Sequence, residues 1–257
     1  MNKSNNSQPP SNGASPQRSI ASVSWGKDSL CMLLVLIEYG YQLDEVVFYD
    51  TGFEFQAVYD TRDATLPLLS KHGIKYTELQ PVRPMLYDML ERPKVKRSGE
   101  QVFGDGWCGG PCRWGTFLKL RALNKYIGKN YTYIGFAADE PARLANLEPH
   151  KLAPLAGRGI TERRALSICN KQGYYWKEHN HSLYDLLDRV SCWCCANKNL
   201  KELRNIYHHL PVYWEKLKDL QSKIDRPFKG YYKGLPKGIF ELEQRFAAED
   251  NAQHCDK

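Results

Sequence analysis

No apolar run in this chain approaches the roughly 18 residues that a membrane span requires, so no membrane passage is expected. Residues 1–18 (MNKSNNSQPPSNGASPQR) lack the apolar stretch of a secretory leader. Their Ser, Asn, Gln and Pro content predicts a disordered tail. Without a leader the expected setting is the cytoplasm, and eight cysteines there do not read as a disulfide scaffold. Clustered cysteines in a reducing compartment bind metal or do chemistry. No internal repeat is visible. Acids are the scarcer charge: 29 Asp and Glu stand against 36 Lys and Arg, a formal net charge of +7. The excess suits a polyanionic ligand such as a nucleotide, and extends to a nucleic acid. No domain-wide basic stripe stands out, so the charge alone describes a mildly basic surface.

Of the 257 residues, 42% are hydrophobic, enough for one large core with an appended subdomain. Strand and helix alternate. Strands are expected at 19–24, 45–49, 74–79 and 131–136, and helices at 29–39 (closed by Gly40), 56–71 and 114–126. That order predicts an α/β fold with a doubly wound parallel sheet. Residues 93–107 (PKVKRSGEQVFGDGW) break the alternation and read as a long loop, either a lid, a contact for a large substrate, or a surface insertion. From Thr161, a good N-cap, the chain turns mostly helical, with helices expected at 211–224 and 237–249. Arg164 stands where a capping box would place Glu. The expected division is a tail at 1–18, a nucleotide-binding α/β domain at 19–160, and a helical region at 161–257.

Ser24-Trp25-Gly26-Lys27-Asp28-Ser29 lies between a buried strand and a buried helix. The unpaired amides of a helix start and the helix dipole form an anion site there. Gly26 lets the backbone approach a phosphate, Ser24 and Ser29 can donate hydrogen bonds, and Lys27 brings positive charge. Asp28 does not suit a bare phosphate; it suits Mg²⁺ or a helix cap. The loop is not a Walker A motif. It resembles the PP-loop, S-G-G-x-D-S, of enzymes that split ATP between its α- and β-phosphates, with Trp25 in place of the first glycine. The aromatic is similar to the loop of phosphoadenosine phosphosulfate (PAPS) reductases. Asp50-Thr51-Gly52-Phe53-Glu54-Phe55 resembles the D-T-G-x-x-F signature of that family. Gly135-Phe136-Ala137-Ala138-Asp139-Glu140, with Arg143, resembles a third block. The resemblance runs from about Ile20 to Cys195 and implies a Rossmann-like PP-loop fold. It also implies nucleotide contacts from residues 24–29, Asp50, Thr51 and Gly52. Catalytic roles would fall to Lys27, Asp28, Asp139, Glu140 and Arg143.

Cys108 and Cys112 are spaced C-x3-C, and Cys192 and Cys195 are spaced C-x2-C. Two close pairs far apart in sequence are how a four-thiolate metal site is built. Thiolates suit both zinc and iron–sulfur. A similar arrangement in adenylylsulfate reductases holds an iron–sulfur cluster, so the resemblance favours 4Fe-4S over Zn²⁺. Cys194 can substitute for either neighbour. Cys31 and Cys169 read as core. Cys255 sits in a stretch that does not match the reductases' C-terminal nucleophile motif.

Together these features predict an enzyme that uses ATP with Mg²⁺ to adenylylate an acceptor for sulfur or nitrogen transfer, releasing pyrophosphate. A sulfur donor is required. The acceptor can be tRNA, DNA or a small molecule, and a homodimer is possible. The alternatives are a sulfonucleotide reductase acting on PAPS or adenylylsulfate, and a non-enzymatic nucleotide-binding iron–sulfur regulator.

Overall fold

The computed structural model describes residues 17–107, 110 and 112–255. Cys108 and all of the expected tail up to residue 16 lie outside the described residues. Contacts group the chain into two compact units. The first comprises the chain up to Asp50, Gln56–Gln80 and Leu118–Trp176; the second comprises Thr51–Phe55, Pro81–Phe117 and the chain from Lys177 onward. The grouping is discontinuous along the chain.

The first unit contains β1 (Ser19–Ser22), α1 (Lys27–Glu38), β2 (Glu45–Tyr49), α2 (Gln56–Lys71), β3 (Lys75–Leu79), α3 (Lys119–Ile127), β4 (Tyr131–Tyr133), β5 (Lys151–Leu152) and α4 (Glu162–Lys171). The strands form one sheet in the order β3-β2-β1-β4-β5. All four pairings are parallel, with Ile20 of β1 opposite Glu45 of β2 and Thr132 of β4. The expected doubly wound parallel α/β architecture is present. Strand β2 is buried along its whole length, as a parallel strand covered on both faces must be. Side chains alternate: Ile20, Val47 and Tyr49 pack with Leu123 and Ile127 of α3. The strand order reverses between β1 and β4. In an open α/β sheet, ligands bind at such a switch point, outside the carboxyl ends of the strands.

Helix α1 begins at Lys27, two residues before its expected start, because Gly26 serves as N-cap through its backbone alone, without a side-chain hydrogen bond. Gly40 follows its C-terminus at φ 63°. The expected helix at 114–126 begins with one π-type turn, Arg113–Leu118, before α3. Thr161 caps α4 as expected, accepting from the Arg164 amide at 3.3 Å.

The second unit holds the helices Met85–Leu90, Leu183–Leu186, Leu200–His209, Pro211–Lys223 and Ile239–Cys255. Residues 93–107 are not a plain loop: Pro93–Val95 and Gln101–Phe103 pair as an antiparallel hairpin. Tyr213 and Trp214 are buried, so the aromatics of Pro211–Lys223 are core residues as expected. Leu200–His209 starts with a full capping box between Asn199 and Glu202. No helix among the described residues is long and apolar enough to cross a membrane.

Candidate functional site

In the first unit the turn after β1 is built around Trp25. Its φ is 60°, a left-handed conformation that favours glycine. The indole is fully buried and packs on Phe48 and Tyr76, with ring centroids 6.3 and 5.9 Å away. Its carbonyl accepts a hydrogen bond from Trp176 Nε1 at 2.7 Å. The side chain therefore faces the core, and only the Trp25 backbone belongs to the loop. Ser29 Oγ accepts from the Ser24 amide at 3.1 Å and donates to the Gly26 carbonyl at 3.1 Å, which closes the turn. Ser24 and Ser29 hydroxyls lie 3.1 Å apart.

The loop after β4 comes against this turn. A Cβ on Gly135 would sit 2.9 Å from the Asp28 carbonyl carbon and oxygen and from the Ser29 Cα. Only a glycine allows β4 and the start of α1 so close.

Lys27 is held by two carboxylates. Its Nζ lies 2.8 Å from both Asp28 oxygens and 2.7 Å from Glu162 Oε2. Burial pulls the Lys27 pKa down, but the Asp28 and Glu162 hydrogen bonds outweigh it and hold the ammonium above its ordinary value. Asp28 is raised, chiefly by burial; Lys27 opposes this, while Glu162 and Glu140 add to it. Asp139 Oδ1 accepts from the Glu162 amide at 3.0 Å, at the start of α4. Glu140 accepts from the Ala137 amide at 3.0 Å and pairs with Arg143 at 2.7 Å. Arg143 also lies over the Phe136 ring, at 5.4 Å. Asp50 Oδ1 accepts from Tyr59 OH at 2.7 Å. The structure thus gathers Lys27, Asp28, Glu140 and Glu162 around the start of α1. Glu162 was not singled out in the sequence; its one signal is its place directly after the Thr161 cap.

Thr51 and Gly52 belong to the second unit, where Thr51 Oγ1 lies 3.6 Å from Cys192 Sγ. Phe53 stacks on Trp193, with centroids 5.3 Å apart and planes 21° from parallel. Cys112, Cys192, Cys194 and Cys195 line one small cavity of about 20 Å³, together with Met85, Met89 and Trp114. Cys195 N donates to the Cys192 carbonyl at 3.0 Å, the tight turn expected of a C-x2-C pair. The Cys112 Sγ accepts from the Gly115 amide at 3.1 Å. Burial, then Cys192 and Cys195, raise the Cys194 thiol well above its ordinary value. Among the described residues, no three potential ligands stand close enough to hold a metal ion as they are. The fourth thiol of the expected set, Cys108, is outside the described residues.

Lys198 is a second residue that sequence reasoning missed. It is 2% exposed, and its ammonium has the Ser191 hydroxyl at 3.1 Å and the Phe55 ring at 5.2 Å. No carboxylate forms an ion pair with it among the described residues. A buried cation is costly unless negative charge stands nearby. Thiolates of the cysteine cavity would supply that charge. The soft donor set, the shared cavity and this buried cation fit a thiolate-bound metal centre.

In the first unit, Cys31 and Cys169 are both fully buried, as expected. Cys169 Sγ lies 3.4 Å from the Lys27 carbonyl.

The model of the phosphoadenosine phosphosulfate reductase domain matches residues 18–152. Two curated relatives are uncharacterized proteins of Methanocaldococcus jannaschii. MJ0066 is 28% identical over 75% of this chain and 39% of its own length. MJ0973 is 25% identical over 87% of this chain and 54% of its own length. The chain thus spans about half or less of the relatives it matches. Among solved structures, the U34-tRNA thiolase NcsA from Methanococcus maripaludis, with its 4Fe-4S cluster, aligns at 16% identity. That alignment covers 90% of this chain and 72% of NcsA, with a TM-score of 0.44.

Proposed function

The chain belongs to the phosphoadenosine phosphosulfate reductase domain family, and from that membership we propose that it is an ATP-consuming enzyme that adenylylates an acceptor for sulfur transfer. The observation that carries this reading is the charge arrangement at the start of α1. Lys27 is shared by Asp28 and Glu162, and Glu140 raises the Asp28 carboxyl further. Two or three carboxylates around one ammonium repel a bare phosphate. They accommodate a phosphate that arrives with Mg²⁺, because the cation reverses the local sign.

In this reading the amides at the start of α1 and Lys27 hold the nucleotide's phosphates, and Asp28 holds the Mg²⁺ that accompanies ATP. An acceptor oxygen attacks the α-phosphorus, and the α–β bridging bond breaks. Pyrophosphate leaves, its charge met by Lys27, and a Mg²⁺ held by Asp28 would share it. A sulfur nucleophile from a donor then attacks the activated acceptor carbon, and AMP departs with the former acceptor oxygen. Nitrogen transfer would follow the same path. Arg143 and Asp139 are assigned to phosphate and ribose contacts. Cys108, Cys112, Cys192 and Cys195 would bind the metal centre, and a 4Fe-4S cluster there would supply an iron site for sulfur, where zinc would only fix the local shape. A cytoplasmic setting belongs to the same proposal.

The family's description favours one second reading, reduction of a sulfonucleotide. The two separate in one experiment. Anaerobic wild-type protein is incubated with ATP, sulfide and candidate acceptors, and in parallel with PAPS and a thiol reductant. AMP and pyrophosphate from the first mixture support adenylylation. Sulfite from PAPS with no ATP turnover reverses the assignment. Asp28→Asn should fold normally yet lose Mg²⁺-dependent turnover about a hundredfold; full activity in that variant would remove Asp28 from the metal site.

A further inference from the structure

The second unit has a cavity of about 400 Å³ that the nucleotide chemistry above leaves unused. The volume falls in the range that takes a whole small ligand. Trp107, Trp114 and Phe228 give it aromatic walls, and Arg113, Arg226 and Lys229 line it against a single acid, Asp105. That acid is already engaged by Arg92 at 3.0 Å, Lys94 at 3.0 Å and Arg113 at 3.2 Å. Lys229 is fixed in the wall by the carbonyls of Ala196 and Lys198, at 2.7 and 2.8 Å. The lining therefore presents net positive charge beside flat apolar surface.

Among the described residues, a buried polar atom of one lining residue lacks a partner. Trp107 is 4% exposed, stands edge-on to Phe228 at 4.6 Å, and its Nε1 has no hydrogen-bond acceptor among the described residues. A buried donor left unpaired costs about 1–3 kcal/mol, and a ligand acceptor that reached it would relieve that cost. An anion alone would not use the rings, and an apolar ligand would not use the cations or the indole N–H. A nucleotide uses all three.

The surroundings extend the argument. Trp114 lines both this cavity and the one formed by the cysteines. Gly230 leads from the cavity wall into a hairpin, Tyr231–Tyr232 paired with Leu235–Pro236. Its segment, 229–237, reads K-G-Y-Y-K-G-L-P-K. Tyr231 and Tyr232 are 66% and 56% exposed. Lys233 and Lys237 lie 5.7 and 4.2 Å from the Tyr232 ring. Exposed rings interleaved with lysines are what a single strand needs, stacking for its bases and charge for its backbone.

We propose that this cavity binds one nucleotide of a single-stranded nucleic-acid acceptor, whose strand continues over the hairpin at 229–237. Its role as acceptor rests on the function proposed above; the binding does not. The base lies against the aromatic walls, and Arg113 and Arg226 meet the phosphates.

Fluorescence anisotropy tests this with the full chain and labelled ten-nucleotide single strands of RNA and of DNA, with free UMP as a third ligand. Arg226→Glu and Tyr232→Ala alter exposed residues, and circular dichroism checks their folding. Each should weaken strand binding roughly tenfold, and Arg226→Glu should also flatten the salt dependence. Binding of RNA only, of DNA only, or of both supports the proposal and names the strand. No strand binding, or wild-type affinity in both variants, overturns it. UMP binding as tight as the strand, with Tyr232→Ala silent, overturns the strand path. ATP titrated separately keeps the two readings apart. Strand binding without ATP binding rejects the proposed function alone, and the reverse rejects this inference alone.

Discussion

Gly135→Ala is a sharp probe of the first unit, because its consequence follows from one contact. The added Cβ would stand 2.9 Å from three backbone atoms of Asp28 and Ser29, against an ordinary contact of 3.4 Å or more. Backbone cannot rotate away as a side chain tip can, so β4 and the start of α1 must separate by about half an ångström. Overpacking of this kind costs typically 1–3 kcal/mol. For a protein of this size that is a fall in Tm of roughly 2–12 °C. The same displacement moves the amides of the α1 start, so ATP affinity should drop roughly tenfold, in line with the sensitivity of positioned groups to small shifts. Thermal unfolding by circular dichroism reads the first effect and titration calorimetry the second. An unchanged Tm refutes the packing argument. A lowered Tm with unchanged ATP affinity keeps the packing but refutes the phosphate role of this helix start.

Lys198→Met should have opposite effects on two quantities. Removing a buried ammonium that has no carboxylate ion pair among the described residues should leave the metal-free protein as stable or more so, while retention of bound metal under chelator challenge falls; unaltered retention would show that Lys198 does not balance thiolate charge. Serine at Cys112, Cys192 or Cys195 should each abolish the proposed metal binding, with about four irons per chain lost if the centre is 4Fe-4S, whereas Cys194→Ser should keep it; elemental analysis of anaerobic protein decides. Glu45 is buried against Thr77 Oγ1 at 2.5 Å, Tyr126 OH at 2.6 Å and Lys75 at 3.1 Å. Burial pushes its pKa up, but these partners outweigh it and hold the carboxyl below its ordinary value. Its stabilising contribution is therefore present above about pH 4.5 and lost as pH falls through the depressed value. Glu45→Gln should cost about 1–3 kcal/mol at pH 7, and urea titrations should show the gap closing toward pH 3; a gap independent of pH would contradict the charge argument.

The parts of the fold that are legible in the sequence are those where burial leaves a periodic trace. Strand β2 and helix α2 occupy the expected residues, 45–49 and 56–71. The apolar run 46–49 in the one and a long helical pattern in the other mark them, even with Pro67 inside the helix. Helix α1 was harder to delimit, since a glycine N-cap makes no side-chain bond and leaves no mark. The hairpin at 93–103 was hidden for a related reason. Val95 and Phe103 are exposed at 73% and 65%, so neither strand has a buried face to impose alternation. The discontinuous make-up of the second unit depends on long-range contacts that local pattern does not encode. At the site, the loop residues and cysteine pairs are visible as motifs. Glu162 and Lys198 are not, because a lone acid in a first turn and a lysine after a cysteine pair look like ordinary surface residues until burial and partners are known.

Trp25 and Trp176 both hold left-handed backbone conformations, at φ 60° and 45°, and both indoles are buried. The hydrogen bond from one to the carbonyl of the other clasps the turn after β1 to the interior. The turn is thereby tied to core assembly, which predicts a receptor already ordered before its ligand arrives. Nucleotide capture should then proceed at a single rate-limiting encounter, linear in ligand concentration. Loosening the clasp, as in Trp176→Phe, would turn a preset receptor into one that must first be organised, and a concentration-independent phase would enter the binding kinetics.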